Sequence, residues 1–162
     1  MKILSPQVTQ IVLVDDDMEE CFIVKTILHD LAPHITVTTL YDVDHVLEFL
    51  EHLLPDLLIL DMSMPGKSGI DCLRTLKNDP VLRHLPVIVY STSGHPVDIC
   101  LAYDHGAALY VEKPEQYAEL VQTLKAVLAY NWQEPGLVSS QRILDANIKA
   151  FKVPKPVQNR VD

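Results

Sequence analysis

Five short apolar runs, each followed by a stretch of helical periodicity, constrain this chain more than any other feature. The runs lie at 10–14 ("QIVLV"), 35–39 ("ITVTT"), 56–60 ("DLLIL"), 86–90 ("PVIVY") and 108–111 ("ALYV"). Helical patterns are expected at 18–31, 43–53, 67–78, 95–105 and 115–131. Three of the runs are nearly continuous hydrophobics, as strands are when helices cover both faces of a parallel sheet. Alternation of this kind implies an α/β fold, a doubly wound five-stranded parallel sheet with helices on both faces. In the last helical stretch Tyr117, Leu120, Val121, Leu124, Val127 and Leu128 recur as one apolar face.

At 162 residues the chain accommodates one domain and a modest extension. The expected division is a domain at 1–132 and a C-terminal extension at 133–162. After "QEPG" the extension holds a short amphipathic helix with a Leu144, Ile148, Phe151 stripe, then a tail with two prolines. Apolar runs stop at four or five residues, far short of the roughly 18 a membrane span needs. With no apolar core after Met1 either, a soluble, cytoplasmic protein is expected. Cys21, Cys72 and Cys100 form no CxxC pair and read as small buried residues. The seven histidines lack ligand spacing and read as surface or loop residues.

Charge is unevenly spread. Through Glu134 there are 8 Lys and Arg against 20 Asp and Glu, and beyond it 5 against 2. An acidic body repels phosphates, so direct DNA binding is not expected.

Ligands of open α/β sheets bind outside the carboxyl ends of the strands. Here the first strand runs into Asp15, Asp16 and Asp17, and the third into Asp61. The fourth runs into Ser91 and Thr92, and the fifth into Lys113 and Pro114. Clustered carboxylates repel unless a cation sits among them. A hard divalent ion, Mg²⁺ or Mn²⁺, suits Asp15, Asp16 and Asp61. Lys113 adds a point positive charge and Ser91 a hydroxyl, so the edge carries what phosphoryl transfer requires. Asp17 reads as a helix N-cap.

The segments "VDDD" at 14–17, "LDMSMPGKSG" at 60–69, "PVIVYSTS" at 86–93 and "YVEKP" at 110–114 resemble, in register, the receiver domain of bacterial two-component response regulators. The likeness covers roughly residues 8–131. It implies a flavodoxin-like sheet of order 2-1-3-4-5, with Asp61 as phosphoacceptor from a phosphohistidine. It further implies that Asp16 and Asp61 ligate the metal directly, Asp15 through water and Ser63 through its carbonyl. Ser63, Thr92 and Lys113 would bind the phosphoryl group, Ser91 and Lys113 contacting its oxygens. Ser91 and Tyr110 would form the switch. A cis bond would precede Pro114 and hold Lys113 in place. Pro65 and Gly66 read as a turn, and Gly69 as the residue that lets the next helix start close to the site.

This chain departs from the family pattern at three places. Thr92 stands where Ala or Gly is frequent, and its bulk is expected to narrow access to Asp61 and slow dephosphorylation. Glu115 replaces a common apolar residue, weakening the start of the last helix. Glu112 neighbours Lys113, but strand alternation points it to the opposite face.

The function so implied is a single-domain response regulator, not an enzyme. It would take phosphate from a sensor histidine kinase or phosphotransfer protein and act on a downstream protein target, with a homodimer as a further expected assembly. "KNDPVLRHLPVIVYSTS" and "YNW" are further similar to the small receivers that serve phytochrome-type kinases. Two alternatives compete. One is a phosphate-independent interaction domain on the same fold. The other is a haloacid-dehalogenase-type phosphatase using Asp15 and Asp17. The second leaves Asp61 unexplained and lacks a later acidic pair after Lys113.

Overall fold

A computed structural model describes residues 8–64, 66, 68–130 and 132. In chain order the elements are β1 (Gln10–Val14), α1 (Met18–Leu31), β2 (Thr36–Leu40), α2 (Val43–His52) and β3 (Leu57–Asp61). They continue with α3 (Gly69–Asn78), a 3-10 turn (Leu82–His84), β4 (Val87–Ser91), α4 (Pro96–Asp104), β5 (Leu109–Glu112) and α5 (Tyr117–Ala129). The strands form one parallel sheet in the order β2-β1-β3-β4-β5, as expected.

Period-two alternation sorts the strand side chains into two cores. Ile11, Leu13, Leu57, Ile59, Ile88, Tyr90, Leu109 and Val111 pack with α1 and α5. Val12, Val14, Leu58, Leu60, Val87, Val89 and Tyr110 pack with α2, α3 and α4. Central β3 and β4 are buried at every position, whereas edge strand β2 is mixed, which explains their different compositions. Truncating a fully buried leucine such as Leu57 or Leu73 to alanine costs about 2–5 kcal/mol.

Polar side chains start the helices. Asp17 accepts from the amides of Glu19 and Glu20, Asp42 from His45 and Ser68 from Asp71. Asp17 is thus the N-cap its position suggested. Helix α5 has no side-chain cap, and it begins at Tyr117 rather than at Glu115.

Several expectations need correction. Strands β2 to β5 each run one residue later than the apolar runs. For β4 the cause is Pro86, which has no N–H to give the ladder and only accepts, from Leu58. Tyr117 does not join the apolar face of α5. It is 62% exposed at the strand-end edge, while Thr123 is buried with its hydroxyl donating to the Glu119 carbonyl. Cys21 and Cys72 are buried but Cys100 is half-buried. No described peptide bond is cis, so Pro114 follows a trans bond. Lys113 is held otherwise, by its amide on the Ser91 carbonyl and by its ammonium. Pro65 and the 133–162 extension, with its Leu144, Ile148, Phe151 stripe, lie outside the described residues. Among those described, no helix is long and apolar enough to cross a membrane.

Candidate functional site

The carboxyl ends of β1, β3 and β5 bring four charges together. One carboxylate oxygen from each of Asp15, Asp16 and Asp61 lies within 4.8 Å of the others. Asp15 and Asp61 are buried, and Asp16 faces solvent. Lys113 answers them, its Nζ lying 2.8 Å from Asp15 Oδ2 and 3.7 Å from Asp61 Oδ2. The first contact is a hydrogen bond and the second is too long to be one.

Local backbone geometry fixes these groups. Asp15 Oδ1 accepts the Asp17 amide at 3.0 Å, and Asp61 Oδ1 accepts the Ser63 amide at 3.1 Å. Ser63 itself is exposed and meets Asp61 through its N–H. Gly69 lets α3 begin against this corner, because a Cβ there would lie 2.4 Å from the Asp61 carbonyl oxygen.

Electrostatics follow from burial and crowding. Burial raises the Asp61 pKa above the ordinary carboxylate value. The Ser63 amide and Lys113 oppose that rise, while the charges of Asp15 and Asp16 add to it. Burial acts to lower the Lys113 pKa. Hydrogen bonds to Asp15 and Glu20 and the charge of Asp61 outweigh it, so the ammonium titrates above an ordinary lysine.

Ser91 and Tyr110 both reach Ser93 on the other side of the sheet. Tyr110 is fully buried, and its hydroxyl donates to the Ser93 carbonyl at 2.8 Å. Ser91 Oγ in turn accepts the Ser93 amide at 3.2 Å. Thr92 is exposed. Glu112 turns away from Lys113, its carboxylate lying over Gly94.

Sequence reasoning missed two residues. Glu20, in the first turn of α1, places Oε2 2.9 Å from Lys113 Nζ. Tyr90 of β4 lies with its ring centroid 5.1 Å from the same nitrogen. The D-x-x-E spacing of Asp17 and Glu20 marks a helix start, but nothing local links Glu20 to a lysine 93 positions later or Tyr90 to one on the next strand end.

The chain matches known proteins in sequence and fold. The family profile of the response regulator receiver domain matches residues 11–125. The chain belongs to that family. Among curated relatives, the DNA-binding response regulator MtrA of Mycobacterium leprae is 30% identical over 146 residues, covering 90% of this chain and 63% of the relative. The transcriptional regulatory protein CpxR of Escherichia coli K12 is 35% identical over 126 residues, covering 77% and 52%. The chain therefore spans less than two thirds of the length of these relatives.

Among solved structures, the phosphorylated cyanobacterial phytochrome response regulator RcpA superposes with a TM-score of 0.70 at 29% identity. The match covers 74% of this chain and 91% of that one. The Mn²⁺-bound response regulator Rcp1 also gives 0.70, at 25% identity, covering 78% and 95%.

Proposed function

We propose that this chain is a cytoplasmic phosphoacceptor module in which Asp61 takes a phosphoryl group from a phosphohistidine on a kinase or phosphotransfer partner. The observation that carries this reading is the grouping of Asp61 with Asp15, Asp16 and Lys113 at one sheet edge. In the transfer, an Asp61 carboxylate oxygen attacks phosphorus. The O–P bond forms as the N–P bond to histidine breaks, leaving an acyl phosphate and a neutral imidazole after protonation.

Three carboxylates so close form the oxygen donor set that suits Mg²⁺ or Mn²⁺; Asp15, Asp16 and Asp61 would hold such an ion, with the Ser63 carbonyl as a further ligand. Such an ion supplies positive charge against the incoming phosphoryl oxygens. Lys113 supplies a second, fixed positive charge. Ser91 and Thr92 follow one another where β4 leaves the sheet, and serve as phosphoryl-side groups. A change in Ser91 reaches Tyr110 and the loop into α4 through Ser93, to which both are hydrogen-bonded, which gives the modified state a different surface for a downstream protein. The likeness to RcpA, a phytochrome response regulator, favours a phytochrome-type kinase as the donor.

The test is intact mass after incubation with Mg²⁺ and acetyl phosphate. The expected result is one added phosphoryl group on wild type and none on Asp61→Asn. An unmodified wild type would favour the phosphate-independent interaction domain. Continuous hydrolysis that depends on Asp15 would favour a phosphatase.

A further inference from the structure

Glu20 stands outside the aspartate group yet holds its cation. In a helix opening with an acidic N-cap, the carboxylate three residues on ordinarily folds back onto the N-cap amide. Here the Asp17 amide is already taken by Asp15 Oδ1 at 3.0 Å. The Glu20 side chain is thereby released, and it extends to Lys113 at 2.9 Å while remaining 27% exposed. Lys113 is 9% exposed and lies against the face of Tyr90, within the range of a cation–π contact.

An ammonium has three N–H bonds. Asp15 Oδ2 accepts one at 2.8 Å and Glu20 Oε2 another at 2.9 Å. Asp61 Oδ2, at 3.7 Å, lies beyond the reach of the third and leaves room for an oxygen of a group attached to that carboxylate.

We propose that Glu20 is a positioning residue that, with Asp15, orients the Lys113 ammonium so that its remaining N–H serves the Asp61 side. Its consequence for phosphoryl transfer rests on the function proposed above; its effect on Lys113 does not. Without Glu20 the ammonium keeps one anchor and the wall of Tyr90, and its four-carbon stem regains rotational freedom. Glutamine at position 20 still offers an acceptor oxygen, so it restores orientation without restoring charge.

Two measurements decide the matter. The first is hydrogen exchange at the Lys113 ammonium in metal-free, ¹⁵N-labelled protein, the signal assigned by its loss in Lys113→Arg. Losing a charge-assisted hydrogen bond should speed exchange about tenfold in Glu20→Ala, while Glu20→Gln stays within about threefold of wild type. Glu19→Ala, altered one residue away in the same helical turn, is the control and should leave exchange unchanged. Unchanged exchange in Glu20→Ala overturns the proposal.

The second is the initial rate of Asp61 phosphorylation by acetyl phosphate at saturating Mg²⁺. It should fall about five- to tenfold in Glu20→Ala, recover most of the way in Glu20→Gln, and show no further loss when Glu20→Ala is added to Lys113→Ala. A loss that persists in the Lys113→Ala background overturns the positioning role. If wild type takes no phosphoryl group, the proposed function fails, and ammonium exchange still decides whether Glu20 positions Lys113.

Discussion

The Tyr110 hydroxyl donates to the Ser93 carbonyl across 2.8 Å, tying a fully buried ring to the loop between β4 and α4. The same loop is braced by Ser93 Oγ, which donates to Asp98 and accepts the His95 amide. Tyr110→Phe keeps the ring and leaves that carbonyl without its partner. We expect a loss of about 1 kcal/mol in urea unfolding, with faster amide exchange at His95 and Val97. Tyr110→Ala, which opens a cavity, should cost about 3–5 kcal/mol.

Asp61→Asn should stabilise the metal-free protein. It removes one of three carboxylates crowded at the sheet edge, and the one whose burial disfavours its charge. In EDTA the variant should therefore melt above wild type. Adding Mg²⁺ should raise the melting temperature of wild type more than that of the variant, because the variant offers the ion one fewer charged ligand. Thermal scans of both proteins with and without Mg²⁺ check this.

Asp56 fastens the start of β1, accepting from the amides of Thr9 and Gln10 and from the Thr9 hydroxyl. Burial pushes its pKa up, but these hydrogen bonds outweigh it and the folded value lies below the ordinary one. The unfolded chain thus binds this proton more readily. Its contribution is complete above about pH 4 and is lost as pH falls through the lower folded value. Asp56→Asn should flatten that part of the acid-stability curve, measured as urea midpoints against pH.

Two glycines separate backbone crowding from side-chain crowding. A Cβ at Gly69 meets the Asp61 carbonyl oxygen at 2.4 Å and Met62 Cα at 2.7 Å, atoms that cannot step aside. Gly69→Ala should cost about 1–3 kcal/mol and move the Asp61 resonances. At Gly94 the nearest atoms belong to the Glu112 carboxylate, the nearest at 2.8 Å, and that side chain can rotate. Gly94→Ala should stay within about 0.5 kcal/mol. Equal losses at both positions would contradict the distinction.

The fold and much of the site were legible because their signals are local. Asp15, Asp16 and Asp61 each follow an apolar run, and strand endings in a parallel sheet share an edge. Asp17 announced itself as a cap in the same way. Tyr117 was misread because helical periodicity assigns a face without knowing where the sheet beneath it stops. Glu20 and Tyr90 escaped for a different reason: their contacts to Lys113 are made between different elements, and side-chain reach is not encoded in spacing. Strand boundaries were off by one where a residue such as Pro86 belongs to the apolar run but cannot donate to the ladder.

Tyr90 and Ser91 are chain neighbours, yet alternation sends their side chains to different layers, one toward Lys113 and the other toward Ser93, which Tyr110 holds. The charged group and the buried phenol are therefore insulated from each other by the thickness of the sheet. Along β4, only the peptide joining Tyr90 to Ser91 links the two compartments, while Lys113 meets the same strand end through its amide on the Ser91 carbonyl.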